Sequence, residues 1–230
     1  MLKAELHAHT SGSRNDGIRH SPKGLIRHLS RLHYRVLAIT DHDVVTYSEE
    51  LADYAGSKGI LLIPGTERTI EGAHVLLYNL DEEQMRGVHT FADLARLRED
   101  HPSLLVGAPH PFYKVSSCLG KRLIENISLF DVIEHSSAYT RHINPNRKAI
   151  SVAQHHHKPV IATSDLHMLH QANKNVTFID AEPDVDSVVE ALRGGNLQIG
   201  SRPLRTTEFA KVIAFTLYST FLGPLRNLYK

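Results

Sequence analysis

Apolar residues recur along this chain in two rhythms, one of period two and one of period three to four. Leu2, Ala4 and Leu6 alternate with Glu5, His7 and His9, so the opening stretch to Thr10 reads as a strand. Ser21-Pro22 is a helix start, N-cap then first-turn proline, and Leu25, Leu29 and Leu32 follow along one face. Residues 35–40 form a continuous apolar strand of the kind buried on both faces, running into Asp41-His42-Asp43. A helix over about Tyr47 to Ser57 stops at Gly59, and a strand from Ile60 to Ile63 ends in Pro64-Gly65-Thr66-Glu67. His74 to Tyr78 is another apolar run, and a helix from Thr90 to Asp100 has Thr90 and Asp93 as its capping pair. Leu104 to Ala108 leads to Pro109-His110-Pro111, Phe130 to Glu134 leads to His135, and a helix from Asn144-Pro145 reaches about His157. Val160 to Thr163 leads to Ser164-Asp165-Leu166-His167. Val176 to Ile179, a helix from Asp184 to Arg193 and a short strand at Gln198-Ile199 complete the pattern.

Strand and helix alternate in units of about 25–35 residues, the βα signature of a parallel sheet. Histidines and acids gather just past the strand ends, where a (β/α) barrel carries its active site. Closing the sheet would set His7 and His9 beside Asp165 and His167, whereas an open doubly wound sheet would hold those pairs apart. The expectation is therefore an α/β fold, an irregular closed (β/α)7-type barrel, TIM-barrel-like, of seven or eight strands over residues 1–205. Residues 206–230, with Phe209, Val212, Ile213, Leu217, Phe221 and Leu228, read as a C-terminal helix packed on the same domain or on a partner copy in a homo-oligomer.

Composition narrows the chemistry. Of 230 residues, 41% are hydrophobic and 22% charged, which is ordinary for a globular protein able to bury a sizeable core. The single cysteine, Cys118, excludes an intrachain disulfide and a thiolate metal cage. With no basic-then-apolar leader at the start, a cytoplasmic location is expected and no membrane association. The net charge of +1 argues against binding to extended duplex nucleic acid. The departure from the ordinary is 17 histidines. His20, His28, His33, His89 and His101 lie in polar stretches and read as solvated, and His155-His156-His157 as the basic end of a helix.

Side chains two apart on a strand share a face, so His7 and His9 can reach one ion, at about 2.0–2.1 Å each. Taken singly, each further candidate has a plainer reading. His74 on an apolar run and His110 between prolines could be core imidazoles, and Asp41 and Asp43 could cap the next helix. Their shared placement at strand ends favours a metal cage.

Together, His7-Ala8-His9, Thr40-Asp41-His42, the Glu67 turn, His74 to Tyr78, Ala108-Pro109-His110-Pro111 and Ser164-Asp165-Leu166-His167 resemble the polymerase and histidinol phosphatase (PHP) superfamily of metal-dependent phosphoesterases, over residues 1 to about 200. The resemblance implies a (β/α)7 barrel holding two or three divalent ions, Zn, Mn or Fe. It implies one ion on His7, His9, Glu67 and Asp165, a second on Glu67, His74 and His110, and a third on Asp16, His42 and His167. Asn15 or a water is the alternative to Asp16, because the loop is longer than the usual spacing. His135 stands where the pattern has no histidine, as an extra ligand or a substrate contact. Bridging two ions needs a carboxylate with two oxygens, which suits Glu67, and nitrogen and oxygen donors suit these metals. Three such ions against Asp16, Glu67 and Asp165 leave a surplus of positive charge that would trap phosphate. The expected chemistry is phosphomonoester or phosphodiester hydrolysis by a metal-bridging hydroxide, with Glu67 and Asp165 at its centre and Asp41 orienting a ligand. The expected substrate is a nucleotide or short oligonucleotide, with Arg14, Lys114, Arg141 and His170 as candidate grips on a non-reacting phosphate. A histidinol-phosphate-type phosphatase and a non-catalytic metal-stabilised scaffold are the alternatives.

Overall fold

Residues 1–13, 17–212 and 214 are described by a computed structural model. Among them, nine strands share one sheet: β1 (Leu2–Glu5), β2 (Val36–Ile39), β3 (Leu61–Ile70), β4 (Ala73–Tyr78), β5 (Leu105–Ala108), β6 (Val132–Ser136), β7 (Val160–Thr163), β8 (Asn175–Ile179) and β9 (Leu197–Ser201). Their order is β7-β6-β5-β4-β3-β2-β1-β8-β9, and the sheet curls so that its far members meet. Ala8, just past β1, bridges Leu166, just past β7: His9 N–H donates to Leu166 O at 2.9 Å and Leu166 N–H to His7 O at 3.0 Å. The Thr177 hydroxyl on β8 accepts from Ala162 N–H on β7 and donates to its carbonyl, both at 2.9 Å. The result is a nearly closed barrel, and the first and last ligand-bearing segments are neighbours.

The sheet is less regular than the βα rhythm predicts. β4 runs antiparallel to β3 and β5, and β8 antiparallel to β1 and β9. The cause of the first reversal is Glu71-Gly72, both left-handed at φ 49° and 78°, a two-residue turn that folds β3 straight back. β3 itself does not end at Ile63. It continues through Pro64 because it changes partners there: 61–64 pair with β2 and 65–70 with β4. A residue without an N–H is tolerated where one ladder gives way to another.

The helices are α1 (Pro22–Arg31), α2 (Glu49–Ser57), α3 (Glu82–Arg86), α4 (Phe91–Asp100), α5 (Lys121–Glu125), α6 (Asn146–His155) and α7 (Val185–Gly194). Ser21 caps α1 by accepting from Gly24 N–H, and Thr90 and Asp93 form a reciprocal capping box on α4. α2 is capped by Ser48, not by Asp41 or Asp43. Asp43, left-handed at φ 53°, instead accepts from Arg68 at 2.9 Å and from the Thr69 amide and hydroxyl at 2.9 and 3.0 Å, pinning β3. One buried cluster joins Ala4, Leu6, Val36, Leu76 and Ile161 to Val188 and Leu192 of α7. Two others pack the sheet under α1 and α2 and under α3 to α6. Residues 206–212 are helical, and the rest of the expected C-terminal helix lies outside the described residues. No helix among the described residues is long and apolar enough to cross a membrane.

Candidate metal centre

Glu67, buried on β3, sits among five imidazoles. Its Oε2 lies 3.2 Å from His7 Nε2, 3.3 Å from His9 Nε2 and 3.2 Å from His42 Nδ1. Its Oε1 lies 2.9 Å from His74 Nδ1 and 3.2 Å from His110 Nε2. Asp165, opposite, places Oδ1 3.4 Å from His7 Nε2, His9 Nε2 and His167 Nδ1 alike. The rings crowd, with centroids 4.6 Å apart for His9 and His42 and 4.4 Å for His9 and His167. These groups arrive from β1, β2, β3, β4, β5 and β7, at one rim of the barrel. His110 and Asp165 hold left-handed backbone, φ 29° and 47°, which side chains other than glycine adopt at a cost of about 1–3 kcal/mol and which collects at functional sites.

Several buried atoms here make no hydrogen bond. Both ring nitrogens of His9 and Oδ1 of Asp165 are buried without a hydrogen bond. Buried polar atoms are nearly always satisfied, so orphans facing one another call for an occupant. Four overlapping sets bring ligand atoms within 4.8 Å of one another: His9, His42 and His167; His7, Glu67 and His110; His7, His9 and Asp165; and His42, Glu67 and His74. Imidazole and carboxylate donors without sulfur fit divalent Zn, Mn or Fe.

Electrostatics points the same way. Burial opposes charge on His7, yet Glu67, Asp165 and Glu134 outweigh it and hold the ring well above the usual imidazole value. Burial likewise opposes charge on His9, and Asp165 and Glu67 lift it to about 9. Against burial, His42, His7 and His74 hold the Glu67 carboxyl well below the carboxylate range, and His7 and His167 do so for Asp165. The acids thus draw protons onto the rings, in positions that cations would otherwise fill.

Around this cluster lie residues that the sequence pattern does not single out. Glu134, fully buried on β6, accepts from His7 Nδ1 at 2.7 Å, from His110 N–H at 2.5 Å and from the Thr163 hydroxyl. A carboxylate behind a ring nitrogen fixes the tautomer that leaves Nε2 facing inward. Glu5 accepts from the His7 and Ser164 amides at 3.3 and 3.1 Å, and burial pushes it up to about 7 against those bonds. Cys118 does the corresponding work for His110, with Sγ 3.3 Å from Nδ1 and 3.1 Å from the carbonyl. Gln171 accepts from the His167 and Met168 amides at 2.8 and 2.6 Å. His20, expected to be solvated, bonds the His9 carbonyl at 2.8 Å.

The remaining candidates lie elsewhere. The carboxylate of buried Asp41 is committed to Thr10 N–H (2.5 Å), the Thr10 hydroxyl (2.6 Å) and the Thr46 hydroxyl (2.6 Å), so it holds the loop after β1, while its carbonyl accepts from Glu67 N–H at 3.3 Å. His135 alternates with Glu134 on β6, and packs on Tyr139 and Asn175, away from the cluster. Lys114, Arg141 and His170 are exposed. Arg14 and Asp16 lie outside the described residues.

A family model described as PHP-associated matches residues 144–197. That segment is similar to the PHP-associated family. Among solved structures, PsfC from Pseudomonas syringae superposes with a TM-score of 0.65 at 14% identity, over 96% of this chain and 98% of that one. A Bifidobacterium adolescentis protein described as a metal-dependent phosphoesterase superposes with a TM-score of 0.58 at 16% identity, over 82% and 95%. A lesion-specific endonuclease from Pyrococcus furiosus gives 0.60 at 15% identity, over 86% of this chain and 57% of the endonuclease. The nearly closed barrel is thus shared with proteins of widely different sequence.

Proposed function

We propose that this chain is a metal-dependent hydrolase of phosphate esters, acting on a phosphomonoester or phosphodiester of a nucleotide or short oligonucleotide. The observation that carries the reading is Glu67, whose two oxygens divide five imidazoles between them, opposite the orphaned atoms of His9 and Asp165. His7, His9, Glu67 and Asp165 would hold one ion, Glu67, His74 and His110 a second, and His42 and His167 a third. When bound, such ions lower the pKa of a water and stabilise the attacking and leaving oxygens of an in-line displacement. The chain's part is placement. Glu134 and Cys118 hold the rings of His7 and His110, Glu5 and Gln171 hold the backbone beneath His7 and His167, and the barrel closure keeps both halves in register. The phosphoesterase and endonuclease among the superposing structures favour phosphate as the bond attacked.

Metal analysis of the purified protein, followed by hydrolysis assays, tests this. The panel is p-nitrophenyl phosphate, its bis ester, histidinol phosphate, nucleoside bisphosphates and short RNA, each with Mn and with Zn. We expect bound metal and metal-dependent release of phosphate or nucleotide, with both depressed in Glu67→Gln. A Glu67→Gln protein with full metal content and full activity would overturn the bridging role.

A further inference from the structure

The loops that follow β6 and β7 carry cations that the metal centre does not use. Two cavities lie there, one of about 330 Å³ walled by Met168, His170, Gln171, Lys174 and Lys211, the other of about 980 Å³ walled by Arg141, His142, Arg205 and Thr206. Arg202 and Glu208 line both, so the two are adjacent stretches of one basic surface groove. The walls hold Arg141, Lys174, Arg202, Arg205 and Lys211 against one acid, Glu208, while the whole chain carries only +1. Glu208 is already engaged, at 3.1 Å to both Arg202 terminal nitrogens and 3.5 Å to Lys174. Arg141, Arg205 and Lys211 have no ion pair among the described residues. Lys174 and Lys211 also press on His170, whose pKa is lowered first by burial and then by these two charges.

One residue links the groove to the metal centre. Gln171 lines the first cavity, and its side-chain oxygen accepts the amide of His167. No Phe, Tyr or Trp among the described residues lines either cavity, so the broad platform on which bases stack is missing. Cations without such rings bind phosphates irrespective of base identity.

We infer that this groove holds the phosphodiester backbone of a single-stranded nucleic acid whose reacting phosphate lies at the metal centre. The inference rests on the phosphoesterase reading and adds a length requirement to it: affinity grows as the strand extends past the reacting phosphate, without preference for sequence.

The test is fluorescence anisotropy with the full chain and labelled oligothymidylates and oligoadenylates, from dinucleotide to dodecanucleotide, with a dodecamer duplex alongside. We expect the single-stranded dodecamer to bind at least about tenfold tighter than the dinucleotide, equally in both sequences, and more tightly than the duplex. Replacing Arg141, Arg205 and Lys211 together by Ala should abolish the length dependence and flatten the log Kd against log salt slope by about 2, since each single-strand phosphate contact contributes about 0.7. The conservative pair Arg141→Lys and Arg205→Lys should keep both. Equal affinity for dinucleotide and dodecamer, a preference for duplex, or an unchanged slope in the triple Ala variant would each overturn the groove. Metal content and p-nitrophenyl ester hydrolysis of the unaltered chain report separately on the phosphoesterase reading. Length-dependent binding without hydrolysis sinks that reading alone, and hydrolysis without length-dependent binding sinks the groove alone.

Discussion

Glu134→Gln is the most informative single change, because it preserves shape and removes only the second carboxylate oxygen. The native side chain has two ends. Oε1 receives His7 Nδ1 and the Thr163 hydroxyl, and Oε2 receives His110 N–H. All three groups donate, whereas an amide offers an acceptor at one end and a donor at the other. Whichever way the substituted amide turns, a buried donor meets an NH2, at a cost of about 1–3 kcal/mol. At about 2 kcal/mol, a chain of this size should lose roughly 4–8 °C in melting temperature. The effect on metal should be larger than the effect on fold, because His7 no longer has its tautomer fixed. Loss of such an outer partner costs about 10–100-fold in metal affinity, or roughly 1.4–2.8 kcal/mol. Competition against a chromophoric chelator measures the affinity and calorimetry the melting temperature, on the same preparation. Wild-type affinity and an unshifted melt in Glu134→Gln would refute the claim that this carboxylate sets the geometry of His7.

In metal-free protein, His9 titrates at about 9 instead of 6.5, so its contacts with Asp165 and Glu67 stabilise fully below 6.5 and are lost between 6.5 and 9. Glu67, held well below 4.5, contributes above that value and is lost as pH falls beneath it. The melting temperature in EDTA should therefore fall from pH 6.5 to 9, and added Mn or Zn should raise it most at the alkaline end; a metal-free melt that stays level or rises over that range contradicts this. Cys118→Ala should weaken metal binding by up to about tenfold and Cys118→Ser much less, since a hydroxyl can still meet His110 Nδ1; equal affinities in all three proteins would remove the sulfur from the account. Gly12→Ala would put a Cβ 2.8 Å from Asp41 Oδ2 and 2.9 Å from the Thr46 hydroxyl, at a cost of about 1–3 kcal/mol measurable by denaturant unfolding. An unchanged midpoint would mean that this loop is loose.

What the sequence reveals and what it conceals have separate physical causes. Period and position suffice for most strands, because His7, His42, His110, Asp165 and His167 lie just past strand ends, Glu67 just past the point where β3 changes partners and His74 near the start of β4, and curling the sheet brings these places together. Partner direction is not legible in the same way. The Glu71-Gly72 turn is only two residues long and lies between two apolar runs, so the hairpin it makes reads as a continued parallel rhythm. On β6, His135 is the better ligand by residue type. Alternation turns Glu134 inward instead, and only its neighbours His7, His110 and Thr163 reveal which parity faces the cluster. Asp41 stands out by its position before a histidine, but nothing in one dimension announces that Thr10 and Thr46 occupy its oxygens. A lone Cys118 rules out a thiolate cage and says nothing more, because its proximity to His110 depends on how residues 111–117 loop back.

The bridge from Ala8 to Leu166 has a bearing on folding. It is a short fastening, an isolated bridge of two backbone hydrogen bonds between stretches far apart in the chain, and beside it stand His9 and Asp165, whose buried side-chain atoms make no hydrogen bond. An ion gripped by His7, His9 and Asp165 would act as a rivet at that point, closing a loop of about 160 residues, and a covalent tie across such a span is worth about 5 kcal/mol in chain entropy. The ligand-bearing ends of the barrel would then also be its clasp.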